Sequence, residues 1–282
     1  MSESDPDMQQ QPASASYVPG SQPAQPAQPA QGAQEEAAKY GPAGRLIGVL
    51  LSPGETFADI NRKPTWLVPI IIGIVVGLGT SLFFAWRVKP DYDRIVRNQI
   101  RQQTERSGTQ LSAEDLDQRV AIGKTISKFV PLLVIVFVPI IYLVVSGIFA
   151  LGLLLIQAQT TFKKILSVYS WTAASVSLVS LLVTVAVLMT RDTESMRTLD
   201  PKDYGNLTAT NLGALVTSGS SALKSIAGSI DVFSIWTIVL LSIGFAAIAG
   251  SRKITKSKTA TIVITAWVVY VLIKAGLSGI FG

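Results

Sequence analysis

Five uninterrupted apolar stretches, at roughly residues 66–86, 130–156, 165–189, 231–250 and 260–281, are each long enough to cross a bilayer. The first, from Trp66 to Trp86, holds twelve Leu, Ile, Val or Phe residues and no charge. At about 0.3–0.6 kcal/mol for each such residue, its insertion into hydrocarbon is favoured before any Gly or Pro correction. A water-soluble domain has no use for five such segments, and runs this unbroken lack the polar alternation of a lumen-lined barrel. The sequence therefore predicts an all-α membrane protein, a five-helix transmembrane bundle with amphipathic extramembrane helices.

Composition narrows the chemistry. Charged residues make up 15% of the chain, and they sit almost wholly between the apolar runs rather than inside them. The net charge of +6 could suggest nucleic acid, but the basic residues cluster at span ends, where anionic lipid and the positive-inside bias explain them; no nucleic-acid partner is predicted. Cysteine and histidine are both absent, which removes disulfides, thiol catalysis, the usual general base and the commonest metal ligand. No catalytic, metal or cofactor site is predicted, and the expected partners are membrane lipids, with other membrane proteins or a second copy of the chain as further candidates.

Residues 1–41 are rich in Gln, Pro, Ala and Ser, include a QPAQPAQPAQ run and carry no Lys or Arg before Lys39. This composition predicts a disordered tail acting as spacer or solubiliser, and it is not a secretory signal. The membrane domain then spans 42–282. In its first part, Ser52, Pro53 and Glu55 form a capping-box pattern, with Ser52 as N-cap, Pro53 at the first helical position and Glu55 returning a bond to the Ser52 amide. Phe57 and Ile60 share one face of the helix so started, which predicts an interfacial helix in the headgroup layer, a plain helical linker being the alternative.

In the loop 87–128, Tyr92, Ile95, Val96, Ile100 and Gln103 fall on one helical face and Arg94, Arg97 and Arg101 on another. That arginine stripe is a candidate lipid or interface anchor, with a plainly solvated face as the alternative. A second helix is expected to start at Ser112 and to run through Leu116 and Val120 into the second span. The segment 206–230 is too small and polar to span and is expected to lie against the membrane surface. The short loops 157–164 and 251–258 hold six basic residues and no acid, whereas 87–128 and 190–230 spread thirteen basic and ten acidic residues over 83 positions. By density the short loops belong in the cytoplasm, so the amino terminus is expected inside and the carboxyl terminus outside.

Within the spans, small residues recur every fourth position at Gly73, Gly77 and Ser81 and again at Ser242, Ala246 and Gly250, which are candidate helix-packing stripes. Ala173, Ser177, Ser180 and Thr184 share a face of the third span, suited to interhelical hydrogen bonds or to lining a polar path. Lys274 is the one charge well inside a span. Its stem can snorkel to the interface as an anchor, the alternative being a substrate or lipid-headgroup site.

Several segments together are familiar. SPGETF, with Pro53 and Phe57, precedes the first span; FKKILSVYSW opens the third; and Asp231, Phe233 and Trp236 open the fourth in an Asp-x-Phe-x-x-Trp pattern. From about residue 42 to the end, the chain resembles the Yip domain family, five-span proteins named for interaction with Ypt/Rab GTPases, and particularly its bacterial members. The resemblance implies a small GTPase as a possible partner and, for eukaryotic members, a cytosolic amino terminus and traffic between endoplasmic reticulum and Golgi. The Asp-Leu-Tyr-Gly-Pro stretch typical of the eukaryotic cytosolic region has no counterpart here. The expected function is that of a non-catalytic adaptor or scaffold in membrane organisation or trafficking, acting through protein or lipid binding. A small-solute carrier or permeability factor is the alternative. The expected location is the bacterial cytoplasmic membrane, or the endoplasmic reticulum or Golgi in a eukaryote.

Overall fold

The computed structural model describes residues 38–108, 111–199, 204, 208, 210–216 and 218–281, so the predicted tail lies outside the described residues up to position 37. Two short helices come first, α1 (Pro42–Leu51) and α2 (Pro53–Arg62), followed by the apolar α3 (Leu67–Val88). Next come α4 (Tyr92–Ser107), the 43-residue α5 (Ala113–Leu155) and α6 (Phe162–Thr190). The chain ends with α7 (Ser221–Ala227), α8 (Val232–Ile248) and α9 (Lys256–Phe281). Among the described residues there is no strand; the only β pairing is an isolated bridge between Asn211 and Asp231.

Local chemistry sets these boundaries. Asp91, Ser112, Thr161, Ser220 and Asp231 each turn a side-chain oxygen onto an amide of the first turn of the helix that follows, satisfying a donor the helix leaves open. Gly108 closes α4 in the left-handed region, and Gly250 adopts φ +70° just after α8. The expected start of a helix at Ser112 and its continuation into the second apolar stretch are both found, in one unbroken helix of about 65 Å. Its first turns pair with α4. A Cβ on Gly123 would lie 2.5 Å from Val96 Cγ1, and Arg97 Nη1 meets Asp117 at 3.0 Å.

Among the described residues four helices, α3, α5, α6 and α9, are long and apolar enough to cross a membrane. The fourth apolar stretch forms α8, only 17 residues and about 25 Å long, which is the lower limit for crossing hydrocarbon. Its shortness has a local cause. The chain breaks between Ala227 and Val232, where Asp231 caps α8, and α7 continues beyond the break alongside the end of α9. Within the segment expected to lie against the membrane surface, α7 packs on the end of α9: the Ser225 and Ser278 hydroxyls meet at 3.2 Å, and a Cβ on Gly279 would lie 3.8 Å from that of Ala222.

The face on which α3, α6 and α9 begin is called proximal here. The largest buried cluster is near it, where Phe57, Trp171, Val168, Phe245, Leu153 and Leu240 are buried together. Along α5, by contrast, Phe129, Leu132, Val136 and Val144 are all more than half exposed. In a chain of this pattern those outward faces belong to lipid.

Candidate functional site

The α1–α2 hairpin is docked by a polar network inside the proximal end of the bundle. Arg45 donates through Nε (3.0 Å) and Nη2 (2.9 Å) to one oxygen of Asp59, and the Lys39 amide donates to the other at 2.6 Å. Arg45 Nη1 reaches the Thr65 hydroxyl at 2.6 Å. Thr65 in turn accepts at its carbonyl from Trp171 Nε1, 2.8 Å away on α6. The guanidinium also lies 5.9 Å from the centre of the Trp171 indole, in cation–π range. Both charges are buried, at 3% and 2% side-chain exposure. Such a pair is tolerable only because all three guanidinium nitrogens and both carboxylate oxygens find a partner, and it fixes the geometry of whatever it joins.

Apolar contacts complete the docking. Phe57 and Ile60 are fully buried, so the apolar face of α2 is turned not to lipid but to the bundle, wedged against α6 and α8. Space for it comes from Gly244, where a Cβ would lie 3.1 Å from two Phe57 ring carbons and 2.5 Å from Val168 Cγ1. Asn61 Nδ2 adds a bond to the Ala247 carbonyl at 3.1 Å. The expected capping box is not formed. Pro53 stands at the first helical position, but Ser52 makes no side-chain cap, and Glu55 turns outward to the Tyr40 hydroxyl at 3.0 Å and to Lys39. The upstream Tyr40 and Lys39 compete successfully for that carboxylate.

The predicted packing stripes fare unequally. Gly73 and Gly77 face α5, where added Cβ atoms would meet the Tyr142 hydroxyl at 2.6 Å and Val134 Cγ1 at 2.8 Å. Ser81 returns its hydroxyl to the Gly77 carbonyl at 2.9 Å. On α8, the Ser242 carbonyl accepts from Thr259 on α9 at 2.7 Å, and Ala246 is half-buried. Gly250 does not belong to that stripe: it lies outside α8 in the left-handed region, with the Gln159 carbonyl against it. Ser177 and Thr184 spend their hydroxyl protons on carbonyls of their own helix, Ala174 and Ser180. Of the arginine stripe, Arg97 is engaged by Asp93 and Asp117, while Arg94 and Arg101 are exposed.

A second polar centre lies at the other end of α9. Lys274 does not snorkel away from the bundle; its Nζ donates to the Ser229 hydroxyl at 3.1 Å, at the break between α7 and α8. Both line a cavity of about 740 Å³ between α5, α8 and α9, together with Asp231, Phe233 and Tyr270. Asp231 is committed to its cap, accepting from the Ser234 amide at 2.8 Å and from the Ser234 hydroxyl. Trp236 points outward, 45% exposed. Among the described residues no group of three or more His, Asp or Glu side chains could hold a metal.

Sequence reasoning did not single out Arg45, Asp59, Thr65, Trp171 or Ser229. A signal was present. Arg45 is in register with Val49 on the inward face of α1, and Asp59 adjoins Ile60 on that of α2, so each helix carried one charge where only apolar residues belong.

Comparison with known proteins agrees with this architecture. The Yip1 domain model matches residues 47–277. The membrane protein YknW of Bacillus subtilis (strain 168) is 28% identical over 245 residues, covering 84% of this chain and 92% of that protein. No solved structure matches. The resemblance read from Pro53, Phe57, Asp231, Phe233 and Trp236 thus extends along most of the chain, an integral membrane protein that belongs to the Yip1 domain family.

Proposed function

We propose that this protein is a non-catalytic membrane scaffold that presents the α1–α2 hairpin as a docking surface for another membrane protein. The observation that carries this reading is the Arg45–Asp59–Thr65–Trp171 network. It holds a hairpin rigidly against the bundle while leaving Ile47 and Leu51 on its outer side 59% and 77% exposed. A rigid, partly apolar ridge binds a partner at little ordering cost. The hairpin lies on the face that also carries Lys163, Lys164, Lys256 and Lys258, so the positive-inside bias supports a cytoplasmic hairpin in a bacterial cell membrane. A small GTPase is less well supported, because the chain lacks the cytosolic stretch associated with that role. The carrier alternative loses support where the Ser177 and Thr184 hydroxyls close onto their own helix.

Site-specific photo-cross-linking in intact membranes tests the proposal. A cross-linker at Leu51 or Ile47 is expected to capture a discrete protein partner, one at Val75 in the middle of α3 to capture lipid, and Leu51→Glu to abolish the protein adduct without lowering thermal stability in detergent. Lipid adducts alone from both hairpin positions would overturn the scaffold reading.

A further inference from the structure

The cavity between α5, α8 and α9 has one polar end and one apolar end, and their separation has the dimensions of a lipid. Its polar end is Lys274, Ser229 and Asp231; its apolar wall runs down to Ile148 on α5 and Val263 on α9. From Lys274 to Val263 the helix descends about 16 Å, the length of a substantial part of one acyl chain. Lys274 lies about 21 Å along α9 from residue 260, where the apolar stretch begins, so in a hydrocarbon layer of ~30 Å entered there its long stem can carry the ammonium toward the far headgroups.

The hydrogen bonding at the polar end is one-sided. Ser229 gives its own proton to the Ser225 carbonyl at 2.8 Å and accepts from Lys274 with a lone pair. The ammonium has three donors, and this contact uses one. Asp231 lines the same cavity, but its oxygens are held by the Ser234 amide and hydroxyl, and no carboxylate lies within salt-bridge distance of Lys274 among the described residues. A cation in this position, at the mouth of an apolar groove, is left with unused donors. A phosphate diester would take them up.

We infer that this cavity is a specific phospholipid site, in which Lys274 binds the phosphate of a lipid from the distal leaflet and the groove between α5 and α9 takes one of its acyl chains. The break between α7 and α8 is what makes the site. A continuous helix through residues 228–231 would use those backbone groups in its own ladder and would not place Ser229 as the hydroxyl that orients Lys274. The inference is independent of the hairpin and its partner.

The test uses the full chain purified in mild detergent, delipidated, and titrated with phosphatidylglycerol or phosphatidylethanolamine under native mass spectrometry. Wild type is expected to retain one phospholipid, Lys274→Gln to bind about tenfold more weakly, and Lys274→Arg to recover most of the affinity. Because Lys274→Gln could fail to fold, a second arm uses wild type alone, with a phospholipid carrying a diazirine in its acyl chain. Adducts are expected on peptides containing Ile141 to Ile148 and Val263 to Tyr270. Equal retention by wild type and Lys274→Gln, or adducts no denser there than at lipid-facing Leu132 and Val136, would overturn the inference. Binding of fatty acid as tight as that of either phospholipid would also overturn it, since the phosphate would then not be what is recognised.

Discussion

Arg45 and Asp59 stand 14 residues apart on two helices and meet through two guanidinium nitrogens on one carboxylate oxygen, at 2.9 and 3.0 Å, out of contact with solvent. Neither could be there alone. A lone buried charge costs several kcal/mol, so each residue makes the other tolerable, and together they join α1 to α2 before Thr65 and Trp171 join both to α6.

Breaking this pair from one side should therefore cost more than removing it altogether. Asp59→Ala leaves Arg45 buried without its counter-ion and is expected to destabilise by ~3–5 kcal/mol, read as a lower melting temperature in detergent. The double change Arg45→Met with Asp59→Leu should recover most of that loss. A double variant no more stable than Asp59→Ala would show that the network's geometry, rather than the uncompensated charge, sets the cost.

Trp171→Phe keeps an aromatic ring but removes the Nε1 donor that reaches the Thr65 carbonyl at 2.8 Å. The orphaned acceptor is expected to cost about 1–3 kcal/mol. The loss should be local. Hydrogen exchange should quicken over residues 42–65 while α4 and the first turns of α5 keep their protection, and uniform quickening would count against a role confined to the hairpin.

At the interface of α3 and α5, Gly77→Leu drives a side chain into Val134 and is expected to destabilise by ~1–3 kcal/mol. Gly79, two residues on, has nothing within 4 Å of an added Cβ, so Gly79→Leu is the matched control and should leave the melting temperature nearly unchanged. Equal effects from the two substitutions would mean that α3 does not pack on α5 through its glycine face.

Gly250→Ala should be costly for a different reason. The residue sits at φ +70°, where an L side chain costs about 1–2 kcal/mol, and its Cβ would also strike the Gln159 carbonyl. Ala246→Gly, on α8 itself, should cost about 1 kcal/mol through helix propensity alone. Thermal denaturation of the two variants separates turn strain from helix propensity.

Orientation is open to a direct check. Reporter fusions after Lys164 and Lys258 are expected to read cytoplasmic, since the loops containing them hold six basic and no acidic residues. A periplasmic reading at both sites would invert the bundle and place the α1–α2 hairpin outside.

The helical class, the apolar stretches and the start of α5 at Ser112 were all legible in the sequence. Each depends on residues within one or two turns of one another, and hydropathy, periodicity and capping operate at that range. The tertiary structure decided the partners. It buried Phe57 and Ile60 inside the bundle rather than in headgroups, because Gly244, far along the chain, leaves room for a ring. It moved Gly250 from a packing stripe to a left-handed turn, and it gave Glu55 to Tyr40 rather than to its own helix end. Lys274 was drawn to Ser229 because α7 breaks away from α8 and folds beside α9. Trp171 and Thr65 are 106 residues apart. No local rule links such positions: a hydrogen bond forms between whichever donors and acceptors the packed helices bring within about 3 Å, and only the assembled bundle determines which those are.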